Sequence, residues 1–276
     1  MAKKNMIAAL VQMKSSTDKK ENLESSIGFI EKAAHEKCNY IFFPEFQMAF
    51  TPKSQTQDEL YEIAESLPNS NFLKKLCKYS KTNKIGIIGT LFEKNQNGKD
   101  KRVFDTAFVI DKNGKVISVY RKLHLYDAFG FKESDKFING SEIAKPIKTM
   151  FGTIGIMICY DLRFPELSRI LALNGSDILA IPSGWVHGIM KEEHWTTMLK
   201  ARAIENGMYV IAPNQVGNIF CGRSMIVDPL GSIMTDMGDK IGIEIVEINQ
   251  DRIDQVRNVL PLLKNRREDI YTIKLY

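Results

Sequence analysis

Three short stretches carry side chains able to do chemistry, and each lies just past an apolar run. Ile41-Phe-Phe-Pro-Glu-Phe46 sets Glu45 behind a strand-like segment and a proline that fixes the backbone, a half-buried place that suits a proton-transferring carboxylate. Tyr120-Arg-Lys-Leu-His-Leu-Tyr126 sets Lys122 at the end of another strand. A lysine beside a nucleophile favours a thiolate and stabilises a developing oxyanion. Gly155-Ile-Met-Ile-Cys-Tyr-Asp-Leu-Arg-Phe-Pro-Glu166 sets Cys159 where a strand turns toward a helix starting near Pro165. Such a turn presents the side chain sharply and aims backbone N–H groups at an anion. Singly, each stretch has a plain alternative: a surface glutamate, a solvated lysine, an inert buried cysteine. Asp161, Arg163 and Glu166 make the surroundings of Cys159 polar, which weakens the last of these.

The elements that must position these groups alternate from end to end. Ile7–Val11, Asn39–Phe43, Lys84–Leu91, Thr153–Cys159, Asp177–Ile181, Met208–Pro213, Cys221–Val227 and Ile241–Ile248 read as strands. Lys19–Lys37, Asp58–Ser66, Asn71–Thr82, Pro165–Asn174, Glu192–Asn206 and Arg252–Val259 read as helices, Pro68 separating the second from the third. Val103–Ile110 and Lys115–Tyr120 flank Asn113-Gly114, a hairpin signal. The expectation is an α/β fold in one domain over residues 1–260, with a tail, 261–276, that has no core pattern of its own and lies against another surface, such as a neighbouring subunit.

Composition narrows the function classes. With 44% hydrophobic and 26% charged residues, the 276-residue chain has enough apolar material for a large core. Lys and Arg exceed Asp and Glu by 38 − 33 = 5, without the one-sided concentration of a nucleic-acid binder. No apolar run reaches the ~20 residues that span a bilayer, so no membrane insertion is expected. Cys38, Cys77, Cys159 and Cys221 are far apart and form no CxxC pair, which argues against a zinc site or a disulfide framework and for a reduced, cytoplasmic protein. The four histidines have no i, i+4 pairing, so no metal is expected. No GxSxG, Rossmann or Walker pattern is present.

Taken together, Pro44-Glu45, Arg121-Lys122-Leu-His124 and Cys159-Tyr-Asp-Leu-Arg-Phe-Pro-Glu166 resemble the nitrilase superfamily of carbon–nitrogen hydrolases. The resemblance extends to Phe131-Lys-Glu-Ser134, His194-Trp195, Arg202-Ala-Ile-Glu-Asn206 and Asn265-Arg-Arg-Glu-Asp-Ile-Tyr271, so it covers nearly the whole chain. It implies a four-layer αββα sandwich that pairs into a homodimer or larger homo-oligomer. It implies a Glu45–Lys122–Cys159 catalytic triad, with Glu133 as a second glutamate that positions the substrate or Lys122. No cofactor is required.

The expected chemistry is hydrolysis of a small-molecule amide through a thioester on Cys159, with Lys122 and the Tyr160 backbone N–H holding the oxyanion. Nitrile hydrolases of the superfamily usually carry Cys-Trp-Glu where this chain has Cys159-Tyr-Asp, so the resemblance is to amidase and ω-amidase branches. Hydrolysis of a nitrile or an N-carbamoyl compound, acyl transfer to an amine, and a catalytically silent binding subunit are the alternatives. Tyr126, Phe129, Arg163, Trp185 and His187 are the candidates for substrate contact. Arg163 either pairs with a substrate carboxylate or is held internally by Asp161 or Glu166. Tyr126-Asp-Ala-Phe-Gly-Phe131 departs from the ω-amidase pattern, which sets an ω-amidase substrate in question.

Overall fold

The computed structural model describes residues 4–67, 69–96 and 99–271; Pro68 and the last five residues of the tail lie outside the described residues. One sheet is built from β1 (Met6–Gln12), β2 (Tyr40–Phe42), β3 (Gly86–Lys94), β4 (Val103–Ile110), β5 (Val116–Arg121) and β14 (Gly242–Ile248), in the order β14-β1-β2-β3-β4-β5. The other is built from β6 (Ile147–Thr149), β7 (Gly152–Ile156), β8 (Ile178–Ala180), β9 (Tyr209–Ala212), β12 (Met225–Val227) and β13 (Ile233–Asp236), in the order β13-β12-β9-β8-β7-β6. β10 (Val216–Gly217) and β11 (Phe220–Cys221) form a separate short hairpin. Each sheet has three parallel strands at its centre, β1-β2-β3 and β7-β8-β9.

The side-chain alternation of β1 shows how the layers assemble. Met6, Ala8 and Leu10 join a core that also holds Ile154 and Ile156 of the second sheet. Ala9 and Val11 point the other way, into a second core. There they meet Ile30 and Ala33 of α1 (Lys19–His35) and Phe72, Leu73 and Leu76 of α3 (Asn71–Asn83). A strand buried on both faces reads as a continuous apolar run, which is what residues 7–11 show. Helices α4 (Pro165–Leu173) and α5 (Lys191–Asn206) cover the outer face of the second sheet, completing four αββα layers. The short α2 (Gln57–Ile63) starts from a capping box in which Thr56 and Glu59 exchange hydrogen bonds. α6 (Gln250–Val259) closes the regular structure, its Arg257 bonded to Asp177, Ser176 and Gly207.

Three expectations need correction. The strand expected to end at Cys159 stops at Ile156, and Cys159–Arg163 forms a 3-10 turn. The strand expected over Cys221–Val227 is broken in two by Gly222, which has φ +70° and whose missing Cβ would meet the Gly238 carbonyl at 2.5 Å. The tail is not wholly without a core contact, because Leu263 packs against the larger core. Short β6 and partly exposed β13 carry too little apolar alternation to be read from sequence.

Candidate active site

Glu45 follows β2 and Cys159 follows β7, so both lie beyond the carboxyl ends of parallel strands, the position where open α/β sheets form sites. Lys122 follows β5, and its backbone N–H continues the strand pairing by donating to the Asp105 carbonyl at 2.9 Å. Glu133 opens a short 3-10 turn, Glu133–Asp135. All four line one cavity of about 640 Å³. At its floor the Lys122 Nζ donates to Glu45 Oε1 at 2.7 Å and to both Glu133 oxygens at 2.8 and 3.0 Å. The second Glu45 oxygen accepts the backbone N–H of Gly184 at 2.7 Å. A Cβ on Gly184 would stand 2.6 Å from the Phe46 ring, so only glycine lets this N–H reach the carboxylate.

The charges are set by this packing. Burial alone drives Lys122 toward its neutral form, but Glu133 and then Glu45 outweigh it and hold its pKa well above the ordinary 10.5. Glu45, Asp105 and Glu133 bring oxygens within 4.8 Å of one another, a spacing that suits a cation. Here the Lys122 ammonium takes that place, 2.7, 2.8 and 3.8 Å from Glu45, Glu133 and Asp105. The Cys159 thiol stands well above its ordinary pKa through burial first and the Glu45 charge second, with Lys122 pulling the other way. Burial thus favours the neutral thiol, with the Glu45 carboxylate beside it.

The turn that presents the thiol is held from behind. Cys159 has φ +41°, and its N–H donates to the Pro182 carbonyl at 2.9 Å. Asp161, fully buried, accepts four hydrogen bonds: from the Tyr120 hydroxyl (2.6 Å), the His124 backbone N–H (3.0 Å), His124 Nδ1 (2.7 Å) and the Ile158 N–H (2.9 Å). It thereby ties the turn that carries Cys159 to the strand that delivers Lys122. Arg202 of α5 adds two hydrogen bonds to the Leu162 carbonyl, at 3.1 and 2.8 Å.

The sequence-predicted contact residues divide. Tyr126 lines the cavity, and Tyr160 packs its ring 5.0 Å from that of Tyr126. Phe129 is 67% exposed and Trp185 2% exposed, and neither lines the cavity. Trp185 instead lies beneath two cations, with the Arg163 guanidinium 4.7 Å and the Lys191 ammonium 4.9 Å from its ring. His187 is turned outward to Glu192. Neither Asp161 nor Glu166 forms an ion pair with Arg163 among the described residues, and two of its guanidinium nitrogens are buried without a hydrogen-bond partner.

Two residues were missed in the sequence. Lys191, 4% exposed, donates to the Tyr126 hydroxyl at 2.8 Å. Its signal is a cation at the first position of a helix, where the dipole disfavours it. Asp105 reads as the one charged residue in an otherwise largely apolar strand and meets Lys122 only in three dimensions.

A family model for carbon-nitrogen hydrolases matches residues 7–258. The chain belongs to the carbon–nitrogen hydrolase family. It is 34% identical over 262 residues to the deaminated glutathione amidase of Escherichia coli O157:H7, covering 95% of this chain and 97% of that one. The crystal structure of the Caenorhabditis elegans NitFhit protein superimposes with a TM-score of 0.92 at 31% identity, over 100% of this chain and 68% of that one. Saccharomyces cerevisiae Nit3, a member of branch 10 of the nitrilase superfamily, gives a TM-score of 0.83 at 29% identity, over 95% and 97% of the two chains. As a hydrolase of this family, the chain falls in the amidase-like part of the nitrilase superfamily.

Proposed function

We propose that this protein hydrolyses a small-molecule amide through a thioester on Cys159. The observation that supports this most is the Lys122 ammonium fixed between Glu45 and Glu133 at the floor of the cavity that Cys159 faces. Glu45 takes the thiol proton as sulfur attacks the amide carbon. The carbonyl oxygen becomes an oxyanion held by Lys122 and the Tyr160 N–H. The carbon–nitrogen bond then breaks and Glu45 protonates the leaving nitrogen. Glu45 next takes a proton from water, the hydroxide attacks the thioester, and the carboxylic acid departs as the thiol is restored. Glu133 positions Lys122 throughout.

The substrate of this reading is an anion. Arg163 and Lys191 both lie over the Trp185 ring, Lys191 also lies over the cavity-lining Tyr126, and Arg163, which lines a neighbouring pocket with Met190 and His194, adds a second positive charge beside the site. Deaminated glutathione, the substrate in the relatives' name, is the first compound to test. Self-association as a homodimer and a reducing, cytoplasmic setting complete the reading; all four cysteines are free and no helix among the described residues is long and apolar enough to cross a membrane.

The test is a panel of deaminated glutathione, ω-amido acids, simple amides, N-carbamoyl compounds and nitriles, each run with and without hydroxylamine. Amide cleavage, with hydroxamate formed when hydroxylamine captures the thioester, is the expected result. Cleavage confined to nitriles or N-carbamoyl compounds moves the protein to another branch. No turnover, with Cys159 no more reactive toward iodoacetamide than Cys38, favours a silent binding subunit.

A further inference from the structure

Asp105 is a buried carboxyl that the reaction above does not use. It lies on β4 in the same alternating row as Ala107 and Val109, which face the other sheet, and it is 1% exposed. Neither of its oxygens accepts a hydrogen bond from a donor among the described residues. The nearest cation, Lys122 Nζ, is 3.8 Å away and directs its hydrogen bonds to Glu45 and Glu133. A buried carboxylate without a donor is strongly disfavoured. A carboxylic acid in the same place avoids that penalty, and the groups clustered with it within 4.8 Å, the Glu45 and Glu133 carboxylates, are acceptors and not donors. The charge balance points the same way: Lys122 already faces two carboxylates, and a third anion would have no partner.

We propose that Asp105 is a positioning residue of the catalytic centre that carries a proton in the resting protein and donates it as a hydrogen bond to the Glu45 carboxylate. Burial first, then the Glu45 charge, push the Asp105 carboxyl well above the usual carboxylate range, with Lys122 opposing and Glu133 adding to the rise. A neutral Asp105 steadies Glu45 as the base and spares the centre a second net negative charge, which would oppose ionisation of the Cys159 thiol.

The inference rests on the reading of Glu45 as base, and its test is separable from turnover. In protein labelled with ¹³C-carboxyl aspartate and free of substrate, the infrared spectrum at neutral pH should contain the carbonyl stretch of a protonated carboxylic acid, and Asp105→Asn should remove it. Asp105→Ser provides the same subtraction should the amide variant fold poorly. In kinetics, the neutral isostere Asp105→Asn should lower kcat by less than about tenfold and leave the acid limb of the pH profile in place, whereas Asp105→Ala should lower kcat about a hundredfold, the scale of a lost preorganised donor. Absence of the acid band from the wild type, or an Asn variant as damaged as the Ala variant, overturns the proposal. A protein that shows the band but cleaves no amide defeats the amidase reading and leaves the protonation of Asp105 standing.

Discussion

Lys122 is the residue on which the most electrostatics converges, and its replacement separates binding from chemistry. Lys122→Ala should lower kcat by about 10²–10³-fold, the range for loss of an oxyanion donor, with a small change in KM. Steady-state kinetics checks this, and a rise in KM alone would contradict the oxyanion role. Glu45→Gln should block both halves of the reaction, so rapid accumulation of acylated Cys159 in that variant would contradict its part in acylation. Lys191 gives a pH prediction. Burial, then the neighbouring Arg163, hold its pKa below the ordinary 10.5. Its positive charge is therefore present at neutral pH and lost, as pH rises, sooner than in a solvated lysine. KM for an anionic substrate should rise in that alkaline range in the wild type, and Lys191→Met should raise KM at neutral pH and flatten the rise. Of these residues, Glu45, Lys122 and Cys159 were legible because each follows an apolar strand in a recognisable local pattern. Asp105 and Lys191 were not, because what marks them is a partner distant in sequence. His187 was misplaced because proximity in sequence to Trp185 says nothing about which way a loop turns.

At the scale of elements, Asp161 is the joint between the strand carrying Lys122 and the turn carrying Cys159. Asp161→Ala leaves the Tyr120 hydroxyl, the Ile158 N–H and the His124 N–H without their acceptor. Each orphaned buried donor costs about 1–3 kcal/mol, so urea unfolding should show a loss of about 3 kcal/mol or more, together with a fall in kcat. An unchanged unfolding midpoint would show that the joint bears no load. The β4–β5 hairpin was legible almost to the residue because Asn113-Gly114 fixes the turn; Gly114 has φ +80°. The break at Gly222 was not, because the close approach of the Gly238 carbonyl that requires the glycine is a tertiary contact.

For the molecule as a whole, two sheets and their helices bury apolar side chains on both faces of the central strands, and this is what the apolar runs and helical periodicities of the sequence encode. The layer order came from the family resemblance, because periodicity alone does not say which sheet faces which. β13 and β14 meet at one end of the sandwich and expose Ile233, Met234 and Ile245. Exposed apolar groups at a sheet end favour contact with another protein surface. Light scattering should give a mass about twice the 31.4 kDa of the chain. Met234→Glu should shift that mass toward the monomer, and a wild type already at 31.4 kDa would contradict self-association.

The most direct test of the account is the rate of amide cleavage by Cys159→Ala, measured beside the wild type on deaminated glutathione after circular dichroism has shown that the variant is folded. Turnover by the wild type and none by the variant is the expected result. Equal rates from the two proteins would contradict it, since no thioester could then lie on the path.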